Sequence, residues 1–209
     1  MGMPSAPDPG QVAVELAAQL VGVDSVNPGL VAGAAGEGRI VELLRARLAA
    51  AGFATEVVCP DGQPDRPSLL AWSAAPEGAP TVLLNGHLDT VGVAGMPEPF
   101  AARIEGERLL GRGACDMKGF IGVALSLAPQ IGRARLARPI HFALSYDEEV
   151  GCVGVTGLLD DIQAQGLRPA LAIIGEPTLM SIVGAHKGGA KLVTRCCGRE
   201  AHSSGPEKG

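Results

Sequence analysis

Apolar residues recur at helical spacing over 11–21, with Asp8 and Pro9 placed as start signals. They recur again over 36–51, where Ile40, Val41, Leu43, Leu44 and Leu48 precede Gly52 as a stop. Elsewhere the pattern changes to short apolar runs. Residues 53–58, 68–72 and 81–84 read as strands, the last ending at Asn85-Gly86. Residues 100–110 alternate about Gly106, which predicts a hairpin. Residues 120–131 are apolar enough for a buried helix, 140–145 for a strand, 155–165 for a helix and 171–174 for a strand. After Glu176-Pro177, residues 182–183 and 190–197 are both strand-like. Strands alternating with helices predict an α/β fold, a mostly parallel sheet flanked by helices. Such sheets bind ligands beyond the carboxyl ends of their strands, so function is sought in the polar residues that directly follow apolar runs.

Three runs end in such residues. Thr81-Val82-Leu83-Leu84 leads into Asn85-Gly86-His87-Leu88-Asp89-Thr90. The run over 140–145 leads to Asp147-Glu148-Glu149, and Leu171-Ala172-Ile173-Ile174 to Gly175-Glu176-Pro177-Thr178. A further acid, Asp116, sits at the start of a helix within Gly111-Arg112-Gly113-Ala114-Cys115-Asp116-Met117-Lys118-Gly119. Singly, these are a loop histidine, a helix cap, a turn glutamate and a solvated acidic loop. Together they place one imidazole and several carboxylates at one edge of one sheet. Adjacent acids repel one another, and a divalent cation removes that repulsion. Oxygen and imidazole ligands without thiolates suit Zn²⁺, Co²⁺ or Mn²⁺. His87 and Asp89 are two apart and lie on one side of an extended segment, so Asp89 can orient the imidazole. Glu148 and Glu149 point different ways if extended, which predicts one on the metal and one facing substrate. That division suits hydrolysis, in which a cation acidifies water and a free carboxylate takes the proton.

Composition narrows the alternatives. The 209 residues allow one ordinary domain, or one and part of another. Hydrophobic residues make up 46% and mean hydropathy is +0.24, so a sizeable core is possible; with aromatics at 3% it is built from Ala, Val, Leu and Ile. A formal charge of −5 without a basic stretch argues against nucleic acid as a partner. No apolar run approaches the ~18 residues of a membrane span, and no basic segment leads into an apolar one at the N-terminus, so no membrane association is expected. An odd cysteine count, five, without C-x-x-C spacing predicts a reducing cytoplasm and no cysteine zinc site. Asp116 stands where a dinucleotide loop needs its third glycine, and neither a P-loop nor G-x-S-x-G occurs.

"NGHLDTV" (85–91), "GRGACDMKG" (111–119), "SYDEEVGC" (145–152), "GEPT" (175–178), "HKG" (186–188) and "GREAHSS" (198–204) follow one another along almost the whole chain. In this order they resemble the successive signatures of the M20 family of metallopeptidases and amidohydrolases. The resemblance implies a zinc-dependent exopeptidase-like fold and hydrolysis of a linear amide in a small N-acyl amino acid. It also implies two Zn²⁺ or Co²⁺ per complete active site, and a homodimer. His87 and Glu176 would bind one ion, Asp116 would bridge to a second, Glu149 would bind the second, Glu148 would be the general base and Asp89 would steady His87. The bond after Asp116 is expected to be cis. His202 would approach the substrate carbonyl oxygen across the dimer, from a lid domain.

On this resemblance, residues 1–184 are the N-terminal part of the catalytic domain. Residues 185–209 begin an inserted α+β lid and dimerisation domain with its first strand. Phe120 departs from the family pattern, which usually has a second glycine there. The family's pattern continues through the rest of the lid and returns with a last histidine ligand for the second metal. None of His87, His141, His186 and His202 takes that place in the order of motifs, and His141 is expected in the core. The chain is therefore expected to be the N-terminal portion of such an enzyme, with an incomplete sheet.

Overall fold

The computed structural model describes residues 8–60, 63–76 and 78–185, and beyond these 187, 188, 192–195, 197 and 203–205. It divides into two units, Met1–Pro177 and Thr178–Gly209. In the first, Asp8 caps helix α1 (Pro9–Val21) by accepting the amide of Gln11, and Pro9 occupies the first turn, where no amide is needed. Helix α2 (Gly38–Ala50) buries Ile40, Val41, Leu44 and Leu48 along one stripe. Strands β1 (Ala54–Val58), β2 (Ser68–Trp72) and β3 (Thr81–His87) follow, then a small hairpin of β4 (Arg103–Glu105) and β5 (Arg108–Leu110). Helix α3 (Gly119–Arg133), strand β6 (Ile140–Ser145), helix α4 (Val153–Ala164) and strand β7 (Pro169–Ile174) complete the unit.

The five-stranded sheet has the order β1-β2-β6-β3-β7. β3 runs parallel to both β6 and β7, whereas β1–β2 and β2–β6 are antiparallel. The sheet is thus mixed: its parallel part comprises the three strands whose ends carry the candidate residues. Alternation along the strands sorts side chains to two faces. Leu69, Ala71, Phe142 and Leu144 join the core under α1, α2 and α3, where Phe53 meets Phe142 edge to face at 5.4 Å. Leu70 and Ala143 point the other way, onto Leu158 and Ile162 of α4.

Two predicted elements differ in extent. β3 continues to His87 because Asn85, Gly86 and His87 still pair with Ala143, Leu144 and Ser145. Helix α3 is amphipathic rather than wholly buried, with Val123 52% and Leu127 41% exposed, because its apolar side packs on α1 and the core while its other side faces solvent.

In the unit Thr178–Gly209 the predicted strands are not seen among the described residues. Residues 182–183 and 192–195 have no ladder partner among the described residues, and a strand exists only within a ladder. Residues 190, 191 and 196 lie outside the described set. Among the described residues no helix is long and apolar enough to cross a membrane.

Candidate metal centre

Parallel pairing brings three strand ends together. His87 closes β3 opposite Ser145 at the end of β6, and Asn85 lies opposite Ile174 at the end of β7. The residues that leave these strands, Asp89, Asp147-Glu148-Glu149 and Glu176, therefore emerge at one edge.

His87 is buried and its ring is fixed on both sides. Nδ1 lies 3.0 Å from the Asp89 carbonyl oxygen and 3.4 Å from Asp89 Oδ1. With Nδ1–H donating to Asp89, Nε2 is left as an acceptor. Yet Nε2 faces two more acceptors, Asp116 Oδ1 at 2.8 Å and Glu176 Oε1 at 3.8 Å. Only a second proton or a cation resolves that confrontation. Burial disfavours a charged ring, but the hydrogen bonds and charges of Asp89 and Asp116 outweigh it and push His87 up to about 10. Burial, then the charge of Asp116, raises Glu149; burial likewise raises Glu176, with His87 opposing it. The site is thus short of positive charge.

His87, Asp116 and Glu176 offer donor atoms within 4.8 Å of one another, and so do His87, Glu148 and Glu149. These are two three-donor groups sharing one imidazole, a set of nitrogen and oxygen donors that fits a divalent transition metal. The expectation that Glu148 and Glu149 diverge rested on an extended segment. The segment turns instead, with φ +56° at Asp147, and both glutamates enter one group with His87.

Asp116 is held in an irregular turn, Ala114–Lys118, in which the Asp116–Met117 peptide is cis. Met117 Sδ accepts the His87 amide at 3.2 Å, and a β-carbon at Gly86 would approach Met117 Cε to 3.0 Å. The buried Lys118 amine donates to the Val23 carbonyl at 2.7 Å. Burial pulls it down to about 8, against the charge of Asp24.

Asp89 is fully buried and accepts Asn27 Nδ2 at 2.6 Å and the amides of Glu148 and Glu149, each at 3.1 Å. Burial alone would raise its carboxyl, but the hydrogen bonds from His87, Asn27 and these two amides hold it below the usual range. Asp147 accepts from Asn27 Nδ2 at 2.8 Å and from Arg66, which also reaches the buried Glu37 at 3.2 Å. Burial lifts Glu37 to about 7, with Arg66 opposing it.

Asn27, Glu37 and Arg66 belong to no motif and come from distant parts of the chain. Asn27 lies six residues beyond the end of α1 and Arg66 in a loop before β2, and neither carries a local sequence signal. The Cys152 thiol lies 3.4 Å from Glu148 Oε1. His141 is buried in β6, stacked on Trp72 at 6.3 Å and away from this edge. His186 and His202 lie outside the described residues.

A profile of the peptidase family M20/M25/M40 matches residues 83–195. The chain belongs to this family. An acetylornithine deacetylase from Pasteurella multocida (strain Pm70) is 36% identical over 173 residues, covering 81% of this chain and 44% of that enzyme. One from Salmonella paratyphi B is 33% identical over the same share of each. The chain thus spans less than half the length of these curated relatives. Among solved structures, an M20 family metallo-carboxypeptidase from Sulfolobus solfataricus superposes with a TM-score of 0.64 at 19% identity, covering 81% of this chain and 37% of that one. Human carnosine dipeptidase 1 superposes with a TM-score of 0.63 at 21% identity, covering 78% and 37%. These likenesses establish the shared fold.

Proposed function

We propose that the chain supplies the metal-holding part of an amide hydrolase that converts N-acetylornithine and water to ornithine and acetate, a step of arginine biosynthesis. The observation that carries this reading is His87 Nε2 facing Asp116 and Glu176, with Glu148 and Glu149 in a second group around the same ring. The choice of substrate is supported by relatives named acetylornithine deacetylase at 33–36% identity. In this reading residues 1–184 belong to the catalytic domain and 185–209 begin the lid, through which two copies of the complete protein pair.

His87, Asp116 and Glu176 would hold one ion, Zn²⁺ or Co²⁺, and Asp116 and Glu149 a second. Such an ion supplies Lewis acidity at neutral pH. The chain's own residues do the rest. Asp89 fixes the His87 tautomer through Nδ1. Glu148 takes a proton from the attacking water as the new C–O bond forms and the carbonyl oxygen gains charge, then delivers that proton to the amide nitrogen as the C–N bond breaks and the carbonyl re-forms. His202 would meet the developing oxyanion.

Acetate release from N-acetylornithine by the metal-loaded complete protein is expected, and Glu148→Ala in it should abolish that release while metal is retained. Near-normal turnover in Glu148→Ala would remove that residue from the proton-transfer role. Release from succinyl-diaminopimelate, an N-acyl amino acid or a dipeptide, and not from N-acetylornithine, would keep the site and change the substrate.

A further inference from the structure

We propose that Asn27 and Arg66 form a clamp that aims Glu148 and Glu149 at His87, making both positioning residues of the metal centre. The inference rests on the metal reading above. Asn27 holds two carboxylates at once: its Nδ2 donates to Asp89 at 2.6 Å and to Asp147 at 2.8 Å. Its Oδ1 accepts the Gly29 amide at 2.7 Å, which fixes which way the carboxamide faces. Arg66 donates to the same Asp147 oxygen, Oδ1, as Asn27 does, and ties it to Glu37. Asp147 in turn leads directly into Glu148 and Glu149, whose amides are fastened to Asp89. The acidic turn is therefore tethered by its first side chain and by its next two amides.

Stability alone does not account for this arrangement. Asn27, Glu37, Arg66 and Asp89 are all buried, and withdrawing such groups from water costs free energy that apolar packing would avoid. What the network supplies is direction. Asp147 takes a left-handed backbone conformation, φ +56°, which local sterics do not favour. The clamp compensates for it.

Asn27 is itself placed by backbone. Its amide donates to the Thr90 carbonyl at 2.9 Å, and the Thr90 amide to the Ser25 carbonyl at 3.0 Å, so Ser25 to Asn27 run beside the segment that follows His87. Lys118 holds the start of this stretch at Val23, two residues from Asp116 in the chain. One network thus reaches both donor groups.

The test is a Co²⁺ titration of the 209-residue chain, followed by the visible absorption of the bound ion, whose bands report ligand geometry, with thermal unfolding measured alongside. Arg66→Lys keeps the charge but loses the planar fork. A Glu37→Gln/Arg66→Met double variant removes buried charges of both signs together, so the test does not depend on one substitution folding. Both variants are expected to fold, to bind Co²⁺ at least about tenfold more weakly and to shift the bands. Wild-type binding with superimposable variant titrations would overturn the clamp and leave the metal reading standing. Unfolding of both variants would overturn it too, making the network a structural support alone. A wild-type chain that takes up no Co²⁺ would remove the metal reading and the clamp with it.

Discussion

The ring of Phe120 lies so close over Gly175 that a β-carbon at 175 would sit 2.0 Å from its Cγ. Gly175 immediately precedes Glu176, and its amide donates to the Asn85 carbonyl at 3.2 Å. The ring thus braces the strand end from which Glu176 projects. Bulk at 120, where the family pattern has glycine, is matched by the missing side chain at 175.

Gly175→Ala should therefore destabilise the fold by about 1–3 kcal/mol through overpacking. Phe120→Ala should relieve that clash. In a double-mutant cycle read by urea unfolding, the two substitutions should cost less together than the sum of each alone. Strict additivity would show that the ring and the glycine do not constrain one another.

Gly122 sets two effects against each other. In a helix interior, alanine is worth about 1 kcal/mol over glycine. A β-carbon at 122, however, would meet the Ala17 backbone nitrogen at 2.7 Å, and backbone in the middle of α1 has no room to give. Clash should win: Gly122→Ala is expected to lower the denaturation midpoint, whereas propensity alone would raise it.

His141 makes stability depend on acid. Burial lowers its folded pKa below the ordinary 6.5, and its Nδ1 has no hydrogen-bond partner. The unfolded chain therefore binds a proton at pH values where the folded chain does not. Its contribution is intact above about 6.5 and is lost as pH falls from there through the folded pKa. His141→Leu should flatten the loss of stability between pH 7.5 and 5, two settings chosen to span roughly that range. An unchanged pH profile would show that His141 does not titrate differently on folding.

Asp89→Asn tests the buried acceptor. The carboxylate accepts from Asn27 and two backbone amides, and an amide group presents N–H where one of these donors needs a lone pair. A loss of about 2–4 kcal/mol is expected in urea unfolding. A loss below about 0.5 kcal/mol would mean that the network re-forms around the amide.

The helices and strands of the first unit were legible because each buries one face, which writes its period into the sequence. His87, Glu148, Glu149 and Glu176 stood out because acids and an imidazole after strands have no place in a core, and Asp116 because it joins them from a glycine-flanked turn before a helix. Asn27, Glu37 and Arg66 were not legible: their roles arise from side chains that meet at sequence separations of 62, 81 or 29, which no local pattern records. The turn at Glu148 and Glu149 was hidden for a related reason, since the left-handed conformation of Asp147 depends on partners elsewhere in the chain. Residues 182–183 and 192–195 show the converse, because apolar, β-prone composition makes a strand only where a partner strand accepts its hydrogen bonds.

His87, facing Asp116 and Glu176, is expected to hold a divalent cation with them. Calorimetric titration of the wild-type chain and of His87→Ala with Zn²⁺ at neutral pH tests it most directly. Saturable binding by the wild type is expected, weakened about 100-fold or more in a His87→Ala protein that remains folded. Equal affinity in the two proteins, or no saturable binding by the wild type, would contradict it.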